Sequence, residues 1–155
     1  MAGKKKKQRS TMRQLVLTAR AGRTALSQRL SEIDVYPGQD AVLLALAEED
    51  GVALRDLAEK LAVRPPTVTK TITRLAAQGL VEKRVSAEDA RQSRAYLTEA
   101  GQSLVGKVRA AQEEVEEAAL QDLSSKERKA LRKLLRRIER SLGEASSSDE
   151  TENDE

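Results

Sequence analysis

The sequence predicts a mainly α fold with one small β-hairpin, and three observations predict it. Apolar residues recur at helical spacing through long stretches towards both ends of the chain. Two short segments with strand-like alternation lie close together near its middle. Aromatic residues make up 1% of the 155 and charged residues 34%, a composition rich in helix formers.

The elements follow in order. Residues 1–10 are a basic arm: Lys4, Lys5, Lys6, Lys7 and Arg9 stand there with no acid. They are too polar to bury a face and are expected to be disordered. Over 11–36, Met12, Leu15, Ala19, Leu26, Leu30 and Ile33 share one face of a first helix, with Gly22 on the same stripe. Pro37-Gly38 stops it. A second helix runs from about Gln39 to Glu49, its run AVLLALA expected to be almost wholly buried, and Asp50-Gly51 ends it.

Leu54 to Leu61 reads as a short helix with Leu54, Leu57, Ala58 and Leu61 inward. After the turn AVR, Pro65-Pro66 opens another helix, since proline in the first turn loses no intrahelical hydrogen bond. That helix runs to about Gln78, with Val68, Ile72 and Leu75 buried and Gly79 as its cap. Two helices on so short a turn, crossing at the small Ala58, form a helix-turn-helix pattern. Thr67, Thr69, Lys70, Thr73 and Arg74 face outward, with Arg64, Pro65 and Pro66 at the entrance. Hydroxyls and cations suit base edges and phosphates of a major groove, although such faces are also ordinary solvated ones.

The segments LVEKRV (Leu80 to Val85) and SRAYL (Ser93 to Leu97) read as half-buried strands joined by SAEDARQ. Hairpin and helix-turn-helix together make a winged helix. In the tip, Asp89 precedes Arg91 by two residues, so that its carboxylate is expected to hold the guanidinium extended towards a minor groove. Lys83, Arg84 and Arg94 along the hairpin suit flanking phosphates. Taken alone, the Asp89–Arg91 pair would be an inconsequential surface ion pair. Next to a helix-turn-helix it reads as functional.

Thr98 to about Leu120 is helical, with Leu104, Val108, Ala111, Val115 and Ala118 on one side. Ser124 and Glu127 form a capping box for a last helix, whose edge carries Leu131, Leu134, Leu135, Ile138 and Leu142 and which Gly143 closes. Residues 144–155 are an acidic tail, expected to be disordered. The helical segments 11–36 and 98–143 have too little single-chain core to cover them, which points to a second copy. Leu15, Leu26, Leu131, Leu134, Leu135 and Ile138 are the expected contacts.

Net charge is only +3, but the segment from Arg64 to Arg94 sets seven basic side chains against three acidic ones and points to a polyanion. With no Cys or His, disulfides, thiol chemistry, Cys/His metal sites and Ser-His-Asp catalysis are excluded. Asp56 and Glu59 lie on a helical surface with no nucleophile and base paired beside them, so no enzyme is expected. Ala41 to Ala47 is the longest apolar run and is too short to span a bilayer; no signal-like apolar stretch follows the Lys block. The expected setting is cytoplasmic, with no metal or cofactor.

On the stretches PGQDAVLLALAEEDG, LRDLAEKLAVRPPTVTKTITRLAAQGLVEK and DARQSRAYLTEAG, the chain resembles the MarR family of winged-helix transcription regulators over residues 11–143. The resemblance implies a winged helix-turn-helix domain (37–97) with long N- and C-terminal dimerisation helices. It also implies a homodimer that sets the 66–78 helix in the major groove and the 86–92 wing in the minor groove of a pseudopalindromic double-stranded operator. Repression is the simpler outcome. A low-specificity architectural nucleoid protein and a protein-interaction scaffold are the alternatives. The resemblance also implies a small, often phenolic, effector; Asp40 stands where an aromatic residue is common, and Tyr36 is the only aromatic residue between Thr11 and Gly51. A carboxylate or hydrophobic effector, or none, stays open.

Overall fold

The computed structural model describes residues 10–87, 89 and 91–149, with 144–149 by backbone alone. The basic arm Lys4, Lys5, Lys6, Lys7 and Arg9 and the last six residues lie outside that range. Six helices and three short strands follow in order: α1 (Thr11–Ser31), α2 (Gln39–Glu48), β1 (Val52–Ala53), α3 (Leu54–Lys60), α4 (Pro65–Ala77), β2 (Val81–Val85), β3 (Ser93–Leu97), α5 (Glu99–Leu120) and α6 (Ser125–Asp149). The described residues fall into two compact units divided between Val115 and Glu116, inside α5.

The first unit holds the winged helix. Its core is built from Leu30, Val35, Val42, Leu43, Leu46, Leu57, Ile72, Leu75, Val105 and Val108, all essentially inaccessible. The sheet has the order β1-β3-β2, antiparallel throughout, with Val52 opposite Ala95 and Lys83 also opposite Ala95 from the other side. Buried Ala95 is therefore the pivot of the sheet. Thr98 Oγ1 then donates to the Gly79 carbonyl (2.7 Å) and accepts from the Gly101 N–H (3.1 Å), tying the exit of the hairpin to the end of α4.

Four details differ from the sequence expectation. The first helix ends at Ser31 rather than 36: the chain turns left-handed at Asp34 (φ 57), the Val35 N–H donates to the Leu30 carbonyl (2.9 Å), and Val35 drops into the core. The α2 run is buried at Val42, Leu43, Ala45 and Leu46 but keeps a half-exposed edge at Ala41, Leu44 and Ala47, of which Leu44 and Ala47 pack against the rim of the core. The β1 strand was not expected, being two residues long and too short to show alternation. Gly143 does not close α6, which runs on to Asp149 through part of the expected acidic tail. Gly143 is not among the glycines with the positive φ that a left-handed cap requires.

The second unit comprises the end of α5 and all of α6. Here the capping box forms as expected: the Glu127 carboxylate accepts from the Ser124 N–H (2.9 Å) and hydroxyl (2.7 Å), and Ser124 Oγ accepts from the Glu127 N–H (3.4 Å). The Arg128 guanidinium braces the turn, donating to Glu117 (2.8 Å) and to the Leu123 carbonyl (3.2 Å). On the apolar edge of α6, Leu131 and Ile138 are half-buried, while Leu134, Leu135 and Leu142 are exposed.

Candidate nucleic-acid interface

The interface begins with how α4 is held. Leu61 to Arg64 turn the chain after α3, with Ala62 left-handed (φ 51) and the Val63 N–H donating to the Ala58 carbonyl (3.0 Å). Extended Arg64 leads into Pro65 and Pro66 in the first turn. Val68, Ile72 and Leu75, all within 1% of full burial, fix the rotation of the helix. That rotation exposes Arg64, Pro65, Pro66, Thr67, Thr69, Lys70, Thr73 and Arg74 together, as the apolar spacing predicts. Left-handed Gly79 (φ 72) ends α4 with Leu80 N–H donating to the Leu75 carbonyl (3.0 Å).

Sequence reasoning missed what anchors the far end of α4. Gln39, the one buried polar side chain among the described residues, accepts from the Tyr36 N–H (2.9 Å) and donates to Gln78 Oε1 (3.2 Å). An amide at the head of the apolar α2 run is the signal that marks it. A buried amide must find partners, and here one of them is Gln78 at the end of α4.

The wing differs from expectation in the contact that shapes its tip. Asp89 Oδ1 accepts from the backbone N–H of Arg91 (2.9 Å), and no ion pair of Arg91 is formed among the described residues. A carboxylate two residues before the N–H it binds makes an Asx turn, which sets the backbone from which the arginine projects. The turn is closed by Gln92 N–H on the Asp89 carbonyl (2.9 Å) and Ser86 N–H on the Gln92 carbonyl (2.8 Å).

The other hairpin cations divide into two groups. The Arg84 guanidinium donates to Glu82 (2.6 Å) and lies 4.5 Å over the Tyr96 ring; the Glu82 hydrogen bond raises its pKa further. Half-buried Arg94 donates to the Gly51 carbonyl (2.8 Å), bracing the turn before β1. Both were expected on phosphates, yet their hydrogen bonds go to the protein. Lys83 and Arg91 remain exposed and, with Arg55 of α3, line a groove of about 630 Å³ between α3, α4 and the wing. Arg55 was missed because its helix reads as scaffold. Asp56 and Glu59 line the same groove.

Comparison with known proteins bears on this arrangement. Residues 37–92 match the sequence model of the MarR family. The chain is 25% identical over 131 residues to YybA of Bacillus subtilis, described as an uncharacterized HTH-type transcriptional regulator, covering 84% of this chain and 87% of that one. The crystal structure of the transcriptional regulator SlyA superposes with a TM-score of 0.76 at 26% identity, over 88% of this chain and 96% of the other. A mutant MarR from E. coli complexed with operator DNA has the same fold, with a TM-score of 0.75 at 21% identity over 82% and 91% of the two chains.

Fold and exposed basic face together define a winged-helix DNA-binding protein. The family match covers the winged helix itself, residues 37–92, and with the fold it makes the chain a MarR-like DNA-binding transcription regulator.

Proposed function

We propose that the chain works in the cytoplasm as a homodimeric repressor of pseudopalindromic operators. Residues 66–78 would lie in the major groove and the 86–92 wing in the minor groove of each half-site. The observation that carries this reading is the groove shared by Thr69 of α4 and by Arg91, whose backbone Asp89 holds, beside the exposed outward face of α4. Lys70 and Arg74 supply donors to guanine or phosphate, and Lys83 and Arg55 supply backbone contacts.

The homodimer is supported by apolar side chains exposed on long helices of each unit. On α1 these are Met12, Val16 and Leu17; on α6 they are Leu134, Leu135 and Leu142. Leu15, Leu131 and Ile138 are half-exposed beside them, whereas Leu26 already packs against the core of its own chain. A Cβ on Gly22 would meet nothing within 4 Å, leaving that stretch of α1 open to a close approach. Repression needs only competition with polymerase for promoter DNA. We place an effector of unidentified chemistry in the groove of about 570 Å³ between α1 and the start of α2, lined by Arg20, Arg23, Leu26 and Leu30 of α1 and by Asp40.

The test is selection of bound fragments from the source genome at near-physiological salt. A small set of sites sharing an inverted repeat supports the reading. Broad recovery without a motif replaces it with an architectural protein, and no recovery replaces it with an interaction scaffold.

A further inference from the structure

We infer that Thr73 and Thr69 read thymine through their methyl groups, an inference that rests on α4 being the major-groove helix. Thr73 Oγ1 donates to the Thr69 carbonyl (2.8 Å), and Thr69 Oγ1 donates to the Pro65 carbonyl (3.1 Å). A hydroxyl has one hydrogen, and in both residues it is engaged by the helix backbone. Neither side chain is left with a donor for guanine N7 and O6, adenine N7 or thymine O4. Each still offers a methyl group and an oxygen lone pair, and both residues are exposed on the reading face.

That pair of features matches one kind of base pair. Only thymine carries a methyl in the major groove, and the adenine paired with it presents an N6 donor beside the thymine O4. Cytosine also donates, from N4, but has no methyl. Lys70 and Arg74, on the same face, supply the donors that the threonine hydroxyls have given up. Thr67 in the first turn makes no such backbone bond among the described residues, so its hydroxyl keeps its hydrogen and is not assigned to a methyl contact.

The experiment uses the full chain and a duplex selected from random DNA. Each thymine of the selected half-site is replaced in turn by deoxyuridine, which removes the methyl and leaves every hydrogen bond intact. At the contacted thymine the substitution weakens binding about fourfold, the effect of one buried carbon. Thr73→Ser binds the thymine duplex about fourfold more weakly and is indifferent to the uracil. Thr73→Val keeps the methyl and with it the uracil penalty, whatever affinity goes with the oxygen lone pair; Thr69 is tested in the same way. Uracil tolerated at every position, or Thr73→Val failing where Thr73→Ser binds normally, overturns the inference while α4 remains the reading helix. A chain that selects no sequence at all overturns the reading of α4, and the inference with it, before any uracil is placed.

Discussion

At the scale of single residues, the wing shows how a short side chain can direct a long one without touching its charge. Asp89 binds the Arg91 N–H, and an amide oxygen can accept that bond as well as a carboxylate. Asp89→Asn is therefore expected to hold or raise operator affinity, and Asp89→Ala to lower it. Arg91→Ala is expected to cost about 1–3 kcal/mol in operator binding while leaving the dimer intact. Titration of each variant against one operator duplex checks all three, with sedimentation reporting the dimer. Loss of binding in Asp89→Asn would restore the direct carboxylate–guanidinium contact. Gly101 makes the second residue-scale case. A Cβ there would run into the carbonyl oxygen of Leu80, so α5 can follow the hairpin this closely only with glycine. Gly101→Ala is expected to destabilise the first unit by about 1–3 kcal/mol, read from denaturant unfolding. The motif LTEAG was legible as a family mark; that its glycine clears a backbone oxygen was not.

At the scale of elements, the start of α6 is local and the end of α1 is not. The α6 start depends on Ser124 and Glu127, three residues apart, and forms as their spacing predicts. Hydrogen bonding from the Ser124 hydroxyl and then from its N–H lowers the Glu127 pKa below the ordinary carboxylate value. Lys60, through a hydrogen bond and its charge, does the same to Glu48 of α2. A depressed folded-state pKa contributes stability that is fully present above the unfolded value and is lost as pH falls through the folded one. Thermal stability is thus expected to fall on acidification below the ordinary carboxylate range. Ser124→Ala is expected to cost about 1 kcal/mol at neutral pH and to flatten part of that acid dependence, measured by circular dichroism. The end of α1 had no comparable local mark. It stops at Ser31 because Val35 finds a place in the core, a partner remote in sequence.

At the scale of the molecule, charge is sorted along the chain rather than accumulated. Net charge is +3, yet between Arg64 and Arg94 seven basic side chains stand against three acidic ones, and the first nine residues add Lys4, Lys5, Lys6, Lys7 and Arg9. Deleting residues 2–9 is expected to flatten the slope of log affinity against log salt by several units if those cations release counterions from phosphate. An unchanged slope would make the arm a solubility feature and leave affinity to α4 and the wing.

The sequence by itself determined the order of the six helices and the hairpin, the buried face of α4 and the set of side chains opposite it. Helical and strand periodicities are local, and Val68, Ile72 and Leu75 leave only one face for Thr67, Lys70 and Thr73. Tertiary structure alone decided which polar groups were left for a partner. It turned Arg84 to Glu82 and Tyr96, Arg94 to the Gly51 carbonyl and Asp89 to a backbone N–H. It also buried Gln39 against Gln78. A hydrogen bond is made to whichever donor or acceptor the fold brings within reach. Two of these four choices span 43 and 39 residues of sequence, a distance over which no spacing rule operates.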